Sequence, residues 1–355
     1  MVVDEAKLNE FIERAGNEWG VSMGLLLTFV GDKLGLFRAM AGAAGGALTP
    51  EELAKKTDTH PRMIREWLAA QAAGGFVTYN PSVGTYTLPE EQALALTNEN
   101  STAYIAGFYQ LLVGLFKDEE KIIEAFRTGK GLGWGDHHHY LYEGTEKSFK
   151  PYYIANLTTS WIPALKGVED KLKEGSAKVA DVGCGHGVST ILMAKAYPNS
   201  QIIGFDYHRP SIEWARKNAE KEGLNNISFK VAGATDYPDD DYDLVTFFDC
   251  LHDMGNPSAA AKHALQTLRK KDGTWMLVEP FANDKLEDNL NNPLGRLNYA
   301  VSNVICVPAS LNENGPALGA QAGEEKIKEI VTSAGFSKFR LATQTPFNFV
   351  FEARP

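Results

Sequence analysis

The sequence predicts an α/β protein: a doubly wound, mostly parallel sheet with a final antiparallel strand, preceded by a mostly helical region with the element order of a winged helix. Three observations predict it. From about residue 176 onward, apolar strands alternate with amphipathic helices, the pattern of a parallel sheet covered on both faces. A glycine-rich turn separates the first of these strands from its helix, where open α/β sheets place ligands. Before residue 100, a helix, a short turn, a second helix and a hairpin follow one another. The 355 residues suit about two domains of roughly 100–200 residues. The expected division is a winged-helix-like domain at 1–100, a helical linker and pocket segment at 101–175, and the sheet domain at 176–355.

The elements follow in order. Val21, Leu25, Leu26, Phe29 and Val30 form an apolar stripe at helical spacing, continued by Leu34, Leu36, Phe37 and Met40. Thr49-Pro50-Glu51-Glu52 starts a helix: Thr49 caps it, Pro50 suits its first turn, and Glu52 reaches back to complete a capping box. That helix ends near Thr57. The next begins around Pro61 and runs through Ile64, Trp67, Leu68 and Ala72 to Gly74-Gly75. Residues 76–79 and 85–88 read as strands around the turn 80–84. Residues 101–175 are helical apart from the glycine-rich 129–135, which reads as a loop. Strands then fall at 178–182, 201–206, 227–231, 244–248, 275–279, 339–343 and 347–352. The helices between them include 211–222, closed by Gly223, and 324–334, closed by Gly335. The short link Gln344-Thr345-Pro346 makes the last two strands a hairpin and puts one antiparallel strand at the end of the sheet.

Bulk properties narrow the function. The composition is 44% hydrophobic and 23% charged, ordinary for a globular chain able to bury real cores. Net charge is −10, which gives no bulk attraction to nucleic acid or anionic lipid. Cys184, Cys250 and Cys306 are odd in number and widely spaced. They suggest neither a disulfide framework nor a zinc site, and reduced cytoplasm is the simplest compartment. Residues 1–10 lack a basic region followed by an apolar run, so no signal peptide is expected. The longest apolar stretch, 21–30, is too short to span a bilayer.

The strongest motif is Asp181-Val182-Gly183-Cys184-Gly185-His186-Gly187, directly after a strand and before a helix opening at Val188. Glycines let a ligand approach the backbone and tolerate strained dihedrals. A nicotinamide dinucleotide enzyme would space them G-x-G-x-x-G; here Val188 stands where that pattern wants glycine. The acid ahead of the glycines would repel a pyrophosphate and suits a cationic ammonium, such as the methionyl part of S-adenosylmethionine. Asp206, ending the next strand, can accept both ribose hydroxyls, and Tyr207 can flank the adenine.

Asp181 to Gly187 together with Asp206 resembles motif I and the following acidic loop of class I S-adenosylmethionine-dependent methyltransferases, with a Rossmann-like fold over 178–355. The resemblance implies S-adenosylmethionine as cofactor and S-adenosylhomocysteine as product. Such enzymes often place an acid facing the adenine amine after the third strand. Gly233 takes its place here, leaving the backbone of Ala234 or the displaced Asp236 to serve. Asp249, after the fourth strand, completes the expected cofactor set.

The same edge carries Asp249-Cys250-Leu251-His252-Asp253-Met254, while Glu279 ends the fifth strand. A histidine has the intrinsic pKa to take a proton near neutrality. A carboxylate on the neighbouring strand can fix its tautomer and stabilise the imidazolium. His252 and Glu279 are therefore the expected catalytic pair. This constellation resembles plant caffeic-acid-type O-methyltransferases, which also have an N-terminal winged helix used for dimerisation. It is more similar to mycobacterial-type winged-helix methyltransferases, which share the look of 250–254 and of 318–323. The resemblance implies a homodimer formed through the N-terminal helices and a small-molecule acceptor methylated on oxygen or sulfur. The plant-type enzymes have a second carboxylate where this chain has Gln321, an amide that can orient a ring or bind an acceptor. In the resembling families the segment entering the catalytic domain lines the acceptor pocket, which makes His138, Phe149 and Tyr153 candidates beside Gln321. Three consecutive histidines at 137–139 cannot all face one ion, so no metal is expected.

The main alternative is a DNA-binding regulator that uses the sheet domain as a ligand sensor. Residues 1–100 hold 8 basic and 13 acidic side chains, net −5, whereas phosphate binding demands a basic face. A methylase acting on nucleic acid is disfavoured by the same charge, and no Asn/Asp-Pro-Pro-Tyr/Phe motif follows the fourth strand.

Overall fold

The computed structural model describes residues 3–43, 46–238 and 241–355, and the chain divides into two compact units. The first runs to Gly114 and takes in Glu143–Pro151; the second comprises Leu115–Tyr142 and Tyr152–Pro355. The 101–175 segment is thus shared between them.

In the first unit, Asp4 accepts hydrogen bonds from the Ala6 and Lys7 amides and starts a helix at Glu5–Lys33. The helix stops where Gly35 takes a φ of +69° and a second one, Leu36–Ala41, begins. The apolar stripe is therefore two helices rather than one. Helices Pro50–Thr57 and Pro61–Ala73 follow, the first with the Thr49/Glu52 capping box in place. Strands β1 (Ala47–Leu48), β2 (Thr78–Asn80) and β3 (Thr85–Thr87) form an antiparallel sheet in the order β1-β3-β2. Leu36, Phe37, Met40, Leu53, Ile64, Trp67 and Leu68 fill the core. The Trp67 indole donates to the Leu27 carbonyl (2.8 Å), and a Cβ on Gly31 would lie 2.5 Å from the Trp67 ring. That close approach locks the last turn of the long helix. Its earlier turns are different: Phe11, Trp19, Val21 and Met23 are 54–73% exposed.

The second unit holds seven strands: β4 (Lys178–Val182), β5 (Gln201–Asp206), β6 (Ile227–Val231), β7 (Leu244–Phe248), β8 (Thr274–Pro280), β9 (Lys338–Gln344) and β10 (Asn348–Arg354). Their order is β6-β5-β4-β7-β8-β10-β9. Side chains alternate between two apolar layers. Ala180, Val245, Phe247, Trp275 and Leu277 face helices Pro257–Thr267 and Glu324–Ser333, while Val179, Leu244, Met276 and Val278 face Leu157, Trp161 and helix Val188–Ala196. This is period-two burial on both faces of a parallel sheet. β10 is antiparallel to both neighbours. It is the last strand in the chain but lies between β8 and β9, one place in from the edge expected for it. β10 is nearly all buried whereas β9 is only half-buried, so the more apolar strand takes the inner place. Chain direction reverses its progress between β4 and β7, which opens a ligand crevice at their C-terminal ends.

Candidate active site

The glycine loop leaves β4 with Gly183, Gly185 and Gly187 all at positive φ (+74°, +53°, +82°). Their surroundings differ. A Cβ on Gly187 would meet Phe229 at 2.7 Å and Ala215 at 2.9 Å, and one on Gly183 would meet the Cys250 sulfur at 3.0 Å. Gly185 has nothing within 4 Å, so its side of the loop is open to a ligand. The helix beginning at Val188 has no side-chain cap, which leaves its first amides available.

Asp181 lies fully buried under the loop. Ser189 and Thr190 hydroxyls donate to its Oδ2 (2.7 and 2.6 Å), and Thr246 donates to Oδ1 (3.0 Å). Burial pushes its pKa up and these three hydroxyls pull it partly back. It ties the first turn of the helix to β4 and β7. Asp206 accepts from the Gly185 amide at Oδ2 (2.9 Å) and from the His208 amide at Oδ1 (2.8 Å). Each oxygen keeps a further lone pair, so a ribose diol fits this carboxylate. Tyr207 beside it is 52% exposed. After β6, Asp236 turns back to accept from the Gly233 amide (2.5 Å), and Ala234 stays half-buried next to it.

β7 and β8 are adjacent and parallel, which brings His252 and Glu279 together. His252 sits in a single 3₁₀ turn, Leu251–Asp253. Its Nδ1 is hydrogen-bonded to Glu279 Oε2, and Glu279 Oε1 accepts from the Leu251 amide (3.1 Å). Nε2 lies 3.0 Å from Asp253 Oδ1. The Cys306 thiol joins this side: the ligand atoms of His252, Asp253 and Cys306 all lie within 4.8 Å of one another. Burial alone would lower the His252 pKa, but the charges of Asp253 and Glu279 outweigh it and hold the ring well above its usual value.

Asp249 takes a φ of +47°, a strained conformation for a residue with a side chain. Asn348, on β10, donates to both its oxygens (3.0 and 3.3 Å). Burial, then the charge of Glu279, push its pKa up to about 8, against the pull of His252 and Asn348.

The residues expected to line the acceptor side are spread out. Tyr153 packs edge-on against Phe248 (5.3 Å) and Trp161 (6.1 Å). Burial and the nearby Asp249 raise its phenol pKa. Gln321 follows Ala320, whose amide donates to Ser302 (3.1 Å), and both of its own amide atoms are buried without a partner among the described residues. His138 is stacked on His139 (4.2 Å), and its Nδ1 accepts from the Tyr140 amide (3.2 Å). Phe149 falls in the part of helix Tyr140–Asn156 that belongs to the first unit. Sequence reasoning missed Cys306, Asn348 and the hydroxyls of Ser189, Thr190 and Thr246. The hydroxyl pair directly after the glycine loop was a readable signal; the other residues come from distant segments and carried none.

Two family models match: a methyltransferase domain over residues 173–335 and an Rv2258c-like winged helix-turn-helix domain over residues 22–98. Among curated proteins, the chain is 31% identical over 123 residues to the uncharacterized methyltransferase YcgJ of Bacillus subtilis, covering 34% of this chain and 47% of that protein. It is 30% identical over 146 residues to the ubiquinone biosynthesis O-methyltransferase of Acinetobacter baylyi, covering 39% and 54%. The chain spans only about a quarter to a half of the length of the curated relatives it matches. Two solved structures align along nearly the whole chain. They are an O-methyltransferase family protein of Burkholderia thailandensis (TM-score 0.71, 16% identity, 100% and 99% covered) and human N-acetylserotonin methyltransferase in complex with S-adenosylmethionine (0.69, 18%, 100% and 99%). At such identities the structural likeness speaks for the fold alone. The sequence matches go further, because they fall on the glycine loop and on the hairpin domain just described: the chain carries a methyltransferase domain over residues 173–335 behind an Rv2258c-like winged helix-turn-helix domain over residues 22–98.

Proposed function

We propose that the protein methylates oxygen or sulfur of a small-molecule acceptor, with His252 as the base. The observation that carries this reading is the buried His252 ring, held at Nδ1 by Glu279 on the next strand. S-adenosylmethionine supplies an electrophilic methyl group on a sulfonium centre and leaves as S-adenosylhomocysteine. Asp206, Tyr207 and the open face of Gly185 hold its nucleoside end; the amides that open helix Val188–Ala196 lie alongside. Asp249, Gly233 and Ala234 are the further residues we assign to it, with Asp181 supporting the loop from beneath. The acceptor is held by Tyr153 and Gln321, with His138 as an outer candidate. His252 removes the acceptor's proton as the new bond to the methyl carbon forms. Glu279 and Asp253 then stabilise the imidazolium so produced.

The test is a transfer assay with labelled S-adenosylmethionine and a panel of small thiols, phenols and alcohols, with His252→Ala alongside. Turnover with one acceptor class, lost in the variant, supports the base. Turnover that survives in the variant discards it and points to an acceptor that ionises unaided.

The DNA-binding alternative gains no support from helix Pro61–Ala73. Arg62 pairs with Glu66 and Arg65 with Glu51, both at 2.6 Å, leaving little free positive charge for phosphates. The exposed apolar residues of helix Glu5–Lys33 suit a second copy of the chain instead, and we assign them to a homodimer contact. Trp19→Glu should convert a dimer to monomer in analytical ultracentrifugation. Three free cysteines fit a reducing, cytoplasmic setting. Among the described residues, no helix is long and apolar enough to cross a membrane.

A further inference from the structure

His252 presents two ring nitrogens, and Glu279 takes up only one. Glu279 Oε2 holds Nδ1, and its Oε1 is anchored by the Leu251 amide (3.1 Å). A carboxylate on one nitrogen fixes the ring and leaves the other facing outward, the arrangement that metal-ligating histidines share. Nε2 stands 3.0 Å from Asp253 Oδ1, yet Oδ1 is buried with no hydrogen-bond partner among the described residues. The Cys306 sulfur arrives from a separate segment, and the three atoms lie within 4.8 Å of one another. Nitrogen, oxygen and sulfur donors thus converge on one small space.

The segments that carry them are tied together. Asp253 follows His252 in the 3₁₀ turn Leu251–Asp253, and Cys306 closes the π turn Ser302–Cys306. The π turn is a rare form that collects at functional sites. Just beyond it, the Ser310 hydroxyl donates to the Met254 carbonyl (2.8 Å), and the Gly255 amide donates to Glu313 (3.0 Å). The ring and the thiol are buried, whereas the Asp253 side chain is 23% exposed. An ion has its way in on the Asp253 side.

We propose that His252 Nε2, Asp253 Oδ1 and Cys306 Sγ form a binding site for a thiophilic divalent cation, zinc above all. Imidazole, carboxylate and thiolate are the ordinary ligands of zinc, and a thiolate disfavours magnesium and calcium. Tetrahedral zinc with bonds of about 2.0–2.3 Å sets such atoms about 3.4–3.6 Å apart. That spacing falls between the 3.0 Å and the 4.8 Å that bound the cluster. Three protein ligands leave a fourth position for water, the make-up of an exchangeable site rather than a closed structural one. Binding sends the thiol proton, and the Nε2 proton where the ring carries one, to the buffer. The site rests neither on the cofactor reading nor on His252 as base. One consequence does rest on that base: zinc on Nε2 takes the lone pair it needs, so the loaded protein is silent in the transfer proposed above.

Cobalt titration of the untagged full chain, stripped of metal by chelator, tests the site without cofactor or acceptor. Cobalt substitutes for zinc and gives a thiolate-to-metal charge-transfer band only where sulfur is bound, so ions held by the histidine run 137–139 do not contribute. Wild type should show the band, saturating at a single cobalt per chain, with zinc displacing it and magnesium not. Cys306→Ser should abolish the band and weaken zinc binding by about 100-fold or more. Asp253→Asn should keep the band and weaken zinc binding by about tenfold or more. Cys250→Ser should change neither, because its sulfur faces the Val182 carbonyl (3.6 Å). No band in wild type, a band that survives Cys306→Ser, or a band lost in Cys250→Ser would overturn the proposal. Where Cys306→Ser fails to fold by circular dichroism, Asp253→Asn decides: zinc affinity equal to wild type overturns the site.

Discussion

The proposed cofactor corner and the proposed acceptor corner stand at the ends of neighbouring strands, yet they are built by opposite means. At the cofactor corner the chain works with backbone: three glycines at positive φ, an uncapped helix start, and Asp206 anchored by two amides. Its carboxylates are propped by hydroxyl and amide donors, of which Ser189, Thr190 and His208 are near in sequence and Gly185 and Thr246 are brought in by the sheet. At the acceptor corner it works with charge. His252 is flanked by Glu279 and Asp253, and Asp249 is pushed upward in pKa by the same crowding. The first arrangement leaves no room for a side-chain atom at Gly187 but leaves open space at Gly185. The second keeps its shape when an atom is exchanged but changes its protonation.

The largest expected effects on folding lie at the cofactor corner and separate two glycines. Gly187→Ala forces a side chain into Phe229 and Ala215 at an unfavourable φ. We expect a loss of about 2–4 kcal/mol in denaturant unfolding. Gly185→Ala places its methyl in open space, so the fold should cost only about 1 kcal/mol while S-adenosylhomocysteine binding falls by about tenfold or more. If both variants fold equally well and bind equally well, the backbone account of this corner is wrong.

At the acceptor corner, His252→Ala should reduce kcat/KM by about 10²- to 10⁴-fold with little change in cofactor affinity. Because Asp253 and Glu279 raise the ring's pKa, the neutral base is scarce at neutral pH. Wild-type kcat/KM should therefore climb with pH and level off above the raised pKa. Glu279→Gln removes one of the raising charges. Its rising limb should move to lower pH while the plateau drops, since the imidazolium loses its partner. A limb that stays in place would show that Glu279 does not control the ring.

The two corners were also unequally legible in the sequence. Asp181, the glycines and Asp206 lie in two local stretches whose strand-turn-helix context is written in apolar periodicity, so their placement could be read directly. His252 and Glu279 could be paired only by assuming that β7 and β8 are neighbours, which a doubly wound order supplies. Cys306 and Asn348 reach the same corner from far along the chain, through a π-helical turn and the inserted strand β10. Neither a π turn nor the place of the last strand leaves a periodic trace. The long N-terminal helix was hidden for a related reason: before Val21 its apolar residues are scattered, and burial holds only its final turns.

The last effect to test concerns Asp249, which lies beside Glu279 and His252. Its carboxyl is raised to about 8 in the folded protein, whereas in the unfolded chain it ionises near 3.9. The folded state thus holds a proton that the unfolded state has already lost between those values. Stability contributed by this group is complete below about pH 4 and declines as pH rises to about 8. Asp249→Asn keeps the size and the strained turn but removes the titration, and an amide can still accept from Asn348. The variant should match wild type in Tm near pH 4 and exceed it by a margin that widens to roughly ten degrees at pH 8. Wild-type and variant curves that run parallel between those limits would mean that Asp249 is ionised in the folded protein. The His252 imidazolium, whose charge pulls the Asp249 pKa down, would then outweigh Glu279 and burial.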